Sequence, residues 1–70
     1  MQPVPVGEPF TERERKILSM MVNYMSNEQI AAAMFVTRDT VKYHLKNIYG
    51  KLGVKSRLEA IRSVREKGML

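Results

Sequence analysis

Residues 37–53 constrain the fold most, because helical spacing of apolar residues lies between a start signal and a stop signal. Four apolar side chains recur at intervals of three and four residues, at Val41, Leu45, Ile48 and Leu52. At about 100° per residue they share one side of an α-helix. Thr37 can cap the N-terminus by accepting a hydrogen bond from a backbone N–H, and Gly53 can adopt the left-handed conformation that ends a helix. A helix over about 38–52 is therefore predicted.

The opposite side of this predicted helix is polar. It carries Asp39, Lys42, Tyr43, Lys46 and Gly50. A helix that buries one side and exposes lysines on the other is suited to the major groove of DNA, where the second helix of a helix-turn-helix lies. Lysine can donate to guanine O6 and N7, and tyrosine can contact a thymine methyl or a phosphate. We therefore predict base contacts from Lys42, Tyr43 and Lys46, with an ordinary solvated helix surface as the alternative.

Three more helices are predicted from capping boxes, in which a hydroxyl residue precedes Glu or Gln by three positions. These sequences begin at Thr11, Ser26 and Ser56, and the last helix is expected to run to about Lys67 before Gly68. Their apolar positions are Ile17, Leu18, Met21, Val22, Ile30, Ala31, Met34, Leu58, Ile61 and Val64. The predicted fold is all-α, a compact four-helix domain in which the second and third helices are separated by about three residues, as in a helix-turn-helix.

Two residues leave alternatives open. Glu14 completes the first capping box, and either it does nothing more or it also pairs with a cation from a later helix, Lys51 or Arg57. Gly50 lies inside the third predicted helix, where glycine costs about 1 kcal/mol relative to alanine. It either permits close approach of a phosphate or marks a point where the helix loosens, and we expect loosening.

The 70-residue chain carries a net charge of +5, and its second half is far more basic than its first. Residues 1–37 contain three basic and four acidic side chains, whereas residues 38–70 contain nine basic and three acidic ones. This distribution favours a polyanionic partner, although RNA or a membrane surface fits the charge as well as DNA. The chain has no cysteine, which suits a reducing cytoplasm, and no apolar run as long as a membrane span of about 18 residues.

Residues 1–9 contain three prolines and one glycine without periodicity. Such a composition is typical of an extended segment without regular structure. We therefore expect a linker or disordered tail there, and a folded domain over residues 10–70.

Enzymatic chemistry has little support in the sequence. His44 is the only histidine, no glycine-rich phosphate loop is present, and no acidic pair has the spacing of metal ligands. His44 flanks the apolar side of the third predicted helix, where we expect a half-buried structural residue. We therefore predict no enzymatic activity, no cofactor and no metal site.

Other polar and basic residues suit contacts to the DNA backbone, which position a protein without reading sequence. Ser26 and Asn27 would lie at the positive N-terminus of the second predicted helix, where phosphates bind readily. The predicted set of backbone contacts is Ser26, Asn27, Thr40, Asn47, Lys51, Lys55 and Arg57.

Five short motifs occur in order along residues 10–68. They are TERER at 11–15, SNEQIA at 26–31, TVKYH at 40–44, NIYGKLGV at 47–54 and SRLEA at 56–60. Together they resemble the LuxR-type helix-turn-helix domain, which occurs in response regulators of the NarL/FixJ kind and in the spore regulator GerE. Residues 65–70 are also similar, more weakly, to the C-terminus of MalT-like ATP-dependent regulators.

The resemblance implies a four-helix output domain of a bacterial transcription regulator that reads bases with its third helix. It also implies a homodimer through the fourth helix, whose contacts we assign to Leu58, Arg62 and Arg65. The expected partners are double-stranded DNA, a second copy of the chain and RNA polymerase, in the cytoplasm and without a membrane. Tyr24 and Val22 stand where the family usually has glycine and often has alanine, so we expect that the first turn can close differently.

Two alternative functions remain open from the sequence. The promoter-reading C-terminal region of sigma factors also combines a similar start with a helix-turn-helix, although the motif at 40–44 argues against it. A basic fourth helix also fits a protein-interaction or membrane-surface domain. Binding to core RNA polymerase would select the first alternative, and vesicle binding without salt-sensitive DNA binding would select the second.

Overall fold

The computed structural model describes residues 10–68, which form four α-helices. They are α1 (Glu12–Val22), α2 (Asn27–Met34), α3 (Arg38–Leu52) and α4 (Arg57–Glu66). No strand occurs within this range, so the predicted all-α, four-helix fold is confirmed. The linker or tail predicted for residues 1–9 lies outside the described residues, as do Met69 and Leu70 at the end of the predicted domain.

Reciprocal side-chain caps determine where α1 and α2 begin. Thr11 accepts a hydrogen bond from the Glu14 N–H at 3.1 Å, and the Glu14 carboxylate accepts one from the Thr11 N–H at 2.9 Å. The same pair of bonds joins Ser26 and Gln29, at 2.8 and 3.1 Å. Both of these predicted capping boxes are confirmed. Each satisfies backbone donors that the first helical turn leaves without a partner.

The capping box predicted at the start of α4 is only half formed. Ser56 accepts from the Glu59 N–H at 3.2 Å, but the Glu59 carboxylate accepts from the Lys55 N–H, at 2.9 Å, instead of from the Ser56 N–H. Ser56 has a φ of −143°, against −69° at Thr11. The backbone at Ser56 is thus more extended than at Thr11, and the carboxylate bonds to the preceding residue. The helix still begins where the sequence predicts.

The ends of α3 follow the predicted signals. Thr37 accepts from the Thr40 N–H at 3.2 Å and caps the N-terminus. At the C-terminus Gly53 has a φ of +71°, and the Val54 N–H donates to the Tyr49 carbonyl at 3.0 Å. This left-handed closure satisfies a carbonyl that the last turn leaves open.

The loosening predicted at Gly50 is wrong. The helix continues through Gly50 to Leu52, and a Cβ built at Gly50 would meet no atom within 4 Å. Ile48 and Leu52 are buried on either side of it, at 0% and 8% exposed. Their packing holds the backbone in a helix, and the glycine is placed on the solvent side.

All four helices contribute to one apolar core. Its buried residues are Phe10, Ile17, Leu18, Met21, Ile30, Ala31, Val41, Leu45, Ile48, Leu52, Ala60, Ile61 and Val64. The apolar spacing of the sequence did not predict two of these core residues. They are Phe10, which precedes α1, and Ala60, which is small but fully buried. Val22 and Met34 are only partly buried, and Leu58 is 62% exposed.

Two turns contain non-glycine residues in the left-handed region, Tyr24 at φ +64° and Phe35 at φ +59°. Tyr24 thus adopts the conformation that a glycine would favour, and the tyrosine does not prevent a turn of that kind. Phe35 closes α2, and its side chain is 95% exposed. Both residues carry backbone strain of about 1 kcal/mol or more.

Candidate nucleic-acid interface

The turn between α2 and α3 fixes how the two helices meet. It consists of Phe35, Val36 and Thr37, and the Val36 N–H donates to the Ala31 carbonyl at 3.0 Å. Ile30 and Ala31 of α2 belong to the same core cluster as the buried row of α3. The helix-turn-helix predicted from the spacing is present, and its geometry decides which side of α3 remains outside.

The three residues predicted to contact bases, Lys42, Tyr43 and Lys46, are exposed on the outer side of α3. Tyr43 is 63% exposed. Its ring packs edge-on against the half-buried ring of His44, with centroids 5.5 Å apart. The row is therefore available to a ligand, and His44 has the half-buried position that the sequence predicts.

Two shallow depressions lie on this side of the molecule and share Asn27 and Lys42. One lies among the start of α2, α3 and α4 and is lined by Tyr24, Met25, Ser26, Asn27, Glu28, Arg38, Lys42 and Arg57. The other follows α3 and is lined by Asn27, Lys42, Leu45, Lys46, Tyr49, Gly50 and Val54. The structure thus brings three predicted backbone-contact residues beside two predicted base-contact lysines.

Lys51, by contrast, is bound within the domain. Its Nζ donates to the Glu14 carboxylate at 2.6 Å and lies 5.6 Å from the centroid of the Phe10 ring. Of the two alternatives left open for Glu14, the structure shows pairing with a cation from a later helix, and the partner is Lys51 and not Arg57. Because a carboxylate and an aromatic ring already surround this ammonium, we leave Lys51 out of the proposed interface.

The Glu14 carboxyl responds to this environment. Burial by itself would raise its pKa, but hydrogen bonds from Lys51 and the Thr11 backbone, together with the Lys51 charge, outweigh burial and lower the pKa below its ordinary 4.5. The carboxylate therefore stays ionised in the folded domain at neutral pH.

Arg57 connects α4 to the residues that precede and begin α2. One guanidinium nitrogen donates to the Met25 carbonyl at 2.9 Å, and the other donates to Asn27 Oδ1 at 2.5 Å. Burial raises the pKa of the Tyr49 hydroxyl, and the positive charge of Arg57 opposes that rise. The guanidinium is half-buried and is held by acceptors of its own chain.

Three other predicted backbone-contact residues lie outside both depressions. The Thr40 hydroxyl is 3.0 Å from the Thr37 hydroxyl, Asn47 is half-buried and Lys55 is exposed. The sequence prediction also missed Arg38, which lines the first depression. Arg38 pairs with Glu28 at 2.9 Å, and both side chains are more than half exposed. Its position four residues before Lys42 on the same helix was the available signal.

The predicted dimer residues are all exposed on α4. Leu58 and Arg62 face solvent, whereas Arg65 is engaged within the domain. Its guanidinium lies 5.6 Å from the Tyr24 ring centroid and donates to the Val22 carbonyl at 3.4 Å. Leu58 and Arg62 therefore form the open part of this surface.

The described part of the chain holds no group of three or more His, Cys, Asp or Glu side chains placed to bind a metal ion. Within the same residues no helix is long and apolar enough to cross a membrane.

Comparison with known proteins decides the family. The family model described as "Bacterial regulatory proteins, luxR family" matches residues 8–64. The chain belongs to the luxR family. The predicted resemblance is confirmed, and membership of a family of regulatory proteins favours a luxR domain over the sigma-factor alternative and over an enzyme.

Relatives of this luxR-family domain are transcription regulators by name. The chain is 52% identical over 54 residues to the "Probable transcriptional regulatory protein SgaR" of Hyphomicrobium methylovorum, covering 77% of this chain and 26% of SgaR. It is 40% identical over 58 residues to the "HTH-type transcriptional regulator MalT" of Serratia proteamaculans (strain 568), covering 83% of this chain and 6% of MalT. The chain thus spans about a quarter or less of the length of these relatives.

Two solved structures of other regulators have the same fold as this luxR-family domain. The response regulator ChrA of a heme-sensing two-component system matches with a TM-score of 0.86 and 38% identity, over 99% of this chain and 33% of ChrA. The transcription factor GerE matches with a TM-score of 0.76 and 34% identity, over 84% of this chain and 88% of GerE. The four-helix arrangement is therefore shared with regulators of known structure.

Proposed function

We propose that this luxR-family domain binds double-stranded DNA sequence-specifically, as the output domain of a bacterial transcription regulator, with α3 in the major groove. The observation that carries the proposal is the exposed row of Lys42, Tyr43 and Lys46 beside the N-terminus of α2. In a helix-turn-helix the corresponding helix presents its N-terminal half to base edges. Backbone N–H groups at the start of α2 suit a phosphate on the groove wall.

Charge supports the same assignment. The second half of the chain carries nine basic and three acidic residues, and Arg38, Lys42 and Lys46 are exposed on one side. A domain of this kind is expected to bind DNA nonspecifically with a Kd of roughly 10⁻⁴–10⁻⁶ M at physiological salt, falling steeply in affinity as salt rises. Two copies on half-sites about one DNA turn apart bind more tightly.

The dimer, the contact with RNA polymerase and the cellular location are proposed from membership of the luxR family. A homodimer through α4 is supported by the exposure of Leu58 and Arg62. Contact with RNA polymerase and a cytoplasmic location follow from the role of a bacterial transcription regulator.

The test begins by selecting, from a random pool of DNA duplexes, those that the unmodified 70-residue chain binds most tightly. In a competition gel-shift, Lys46→Ala is then expected to reduce the preference for the selected site by roughly tenfold, the value of one good base contact. Lys16→Ala is the matched control, because it removes one exposed lysine from α1, away from this surface. Full site preference in Lys46→Ala would contradict the assignment of α3.

A further inference from the structure

Arg57 and Asn27 are joined across 30 positions of the chain, and the chemistry of the two groups fixes how the amide is turned. A guanidinium has only donors, so the atom of Asn27 that faces it must be the amide oxygen. The observed 2.5 Å bond to Oδ1 agrees with that requirement. The two N–H donors of the same amide therefore point away from Arg57.

Asn27 lies where these donors can reach an anion on the surface of the domain. Asn27 is the first residue of α2 and lines both depressions, as does Lys42. Amide donors, the positive end of a helix and a lysine together suit an oxyanion, and in a groove-binding protein that oxyanion is a backbone phosphate. If the amide were turned over, its oxygen would face the phosphate and repel it.

Arg57 itself is poorly placed to make the contact. It is half-buried, and it already donates to the Met25 carbonyl as well as to Asn27. Any shift of the guanidinium towards a phosphate would stretch its bond to the Met25 carbonyl, an acceptor that no other described side chain satisfies. Its two bonds instead hold the residues around the start of α2 against α4.

We propose that Arg57 is a positioning residue for DNA binding, which holds the Asn27 amide so that its N–H donors face a backbone phosphate. The inference rests on the proposed function, and it replaces the expectation that Arg57 contacts the backbone directly. Asn27 is the contact residue, and Arg57 acts through it. Asn27 and Arg57 therefore strengthen binding to duplexes of every sequence alike, because a phosphate carries no sequence information.

A double-mutant cycle tests the assignment, with affinity for a fixed duplex measured by fluorescence anisotropy over a range of salt concentrations. Asn27→Ala and Arg57→Met are each expected to weaken binding by about 10-fold, the value of a hydrogen bond to a charged group. The double variant is expected to bind no more weakly than Asn27→Ala, with an unchanged salt slope. The opposite result is that the two losses in affinity multiply in the double variant. If the slope of log affinity against log salt concentration also falls in magnitude by about 0.9, Arg57 contacts a phosphate itself.

Two further variants keep the test decisive if Arg57→Met folds poorly. Arg57→Lys retains the charge and can bind a phosphate, but a single ammonium cannot span the two acceptors in the geometry of the planar fork. Positioning predicts weak binding by this variant, and direct contact predicts nearly full binding. Asn27→Asp keeps an acceptor for Arg57, so its melting temperature should not fall, while binding to every duplex drops because the donors are gone.

Failure of this inference can be told apart from failure of the proposed function. A wild-type chain without salt-sensitive duplex binding would remove the proposed function, and the inference with it. Normal binding, with site preference lost in Lys46→Ala but independent effects at Asn27 and Arg57, would remove only the positioning role.

Discussion

The carboxylate of Glu14 in the first turn of α1 accepts a 2.6 Å hydrogen bond from Lys51 in the last turn of α3. Only 6% of the Glu14 side chain and 22% of the Lys51 side chain are exposed. Because the two residues are 37 positions apart, this ion pair ties the start of the domain to the end of the proposed DNA-binding helix. The same carboxylate also caps α1 through Thr11.

We expect Glu14→Gln to lower the free energy of unfolding by about 1–3 kcal/mol, because the amide keeps the cap but leaves Lys51 half-buried without its counter-charge. Urea denaturation followed by circular dichroism measures the change. Glu28→Gln is the control, since its partner Arg38 is exposed and such a pair contributes about 0–1 kcal/mol. Equal, small effects of the two substitutions would show that the ion pair does not stabilise the fold.

Acid should destabilise the domain through the same group. The pKa of Glu14 lies below 4.5 in the folded domain and near 4.5 in the unfolded chain, so ionisation favours folding. The contribution is complete above pH 4.5 and is lost as pH falls through the lowered folded pKa. Denaturation curves from neutral pH to about pH 3 should therefore show less pH dependence in Glu14→Gln than in the wild type. Identical profiles would refute this role.

Gly50→Ala should stabilise the domain by about 0.5–1 kcal/mol, because the site is helical and the added methyl group meets open space. Gly53→Ala is the opposite control, since a φ of +71° strains any residue with a Cβ. DNA affinity of the stabilised variant decides whether Gly50 also serves close approach of a phosphate. A drop would support that role, and an unchanged affinity would exclude it.

Phe35→Asn should raise the free energy of unfolding by about 0.5–1 kcal/mol, because asparagine tolerates the left-handed conformation better than phenylalanine. The Phe35 side chain is 95% exposed, so little packing is lost. Tyr24→Asn relieves a similar φ but removes the ring that packs against Arg65, and a smaller gain is expected there. Thermal melting measures the stability of the two variants. A lower melting temperature in Phe35→Asn than in the wild type would show that the left-handed backbone at Phe35 is not strained.

Leu58→Glu should abolish the tighter binding to a duplex with two half-sites and leave binding to one half-site nearly unchanged. Leu58 is 62% exposed, so the domain should tolerate the change, while a buried charge at an α4–α4 interface would oppose association. Paired titrations of one-site and two-site duplexes measure the effect. Undiminished two-site binding would place the dimer contact elsewhere.

Local signals determined the helices of this protein. Hydroxyl caps at Thr11, Ser26 and Thr37, the closing Gly53 and the apolar row of α3 act over three or four residues, so the sequence alone predicts where each helix begins and which side of α3 is buried. The same periodicity predicts that Lys42, Tyr43 and Lys46 are exposed to solvent, and the structure confirms their exposure.

Only the tertiary structure decided which distant residues meet. Glu14 had two candidate cations, and the packing of α1 against α3 selected Lys51, while α4 carried Arg57 to Met25 and Asn27. Helix spacing leaves Leu58 equally suited to the core or the surface, and the crossing of α4 with α1 and α3 turned it outward. Such contacts depend on how whole helices are oriented, which no short stretch of sequence specifies.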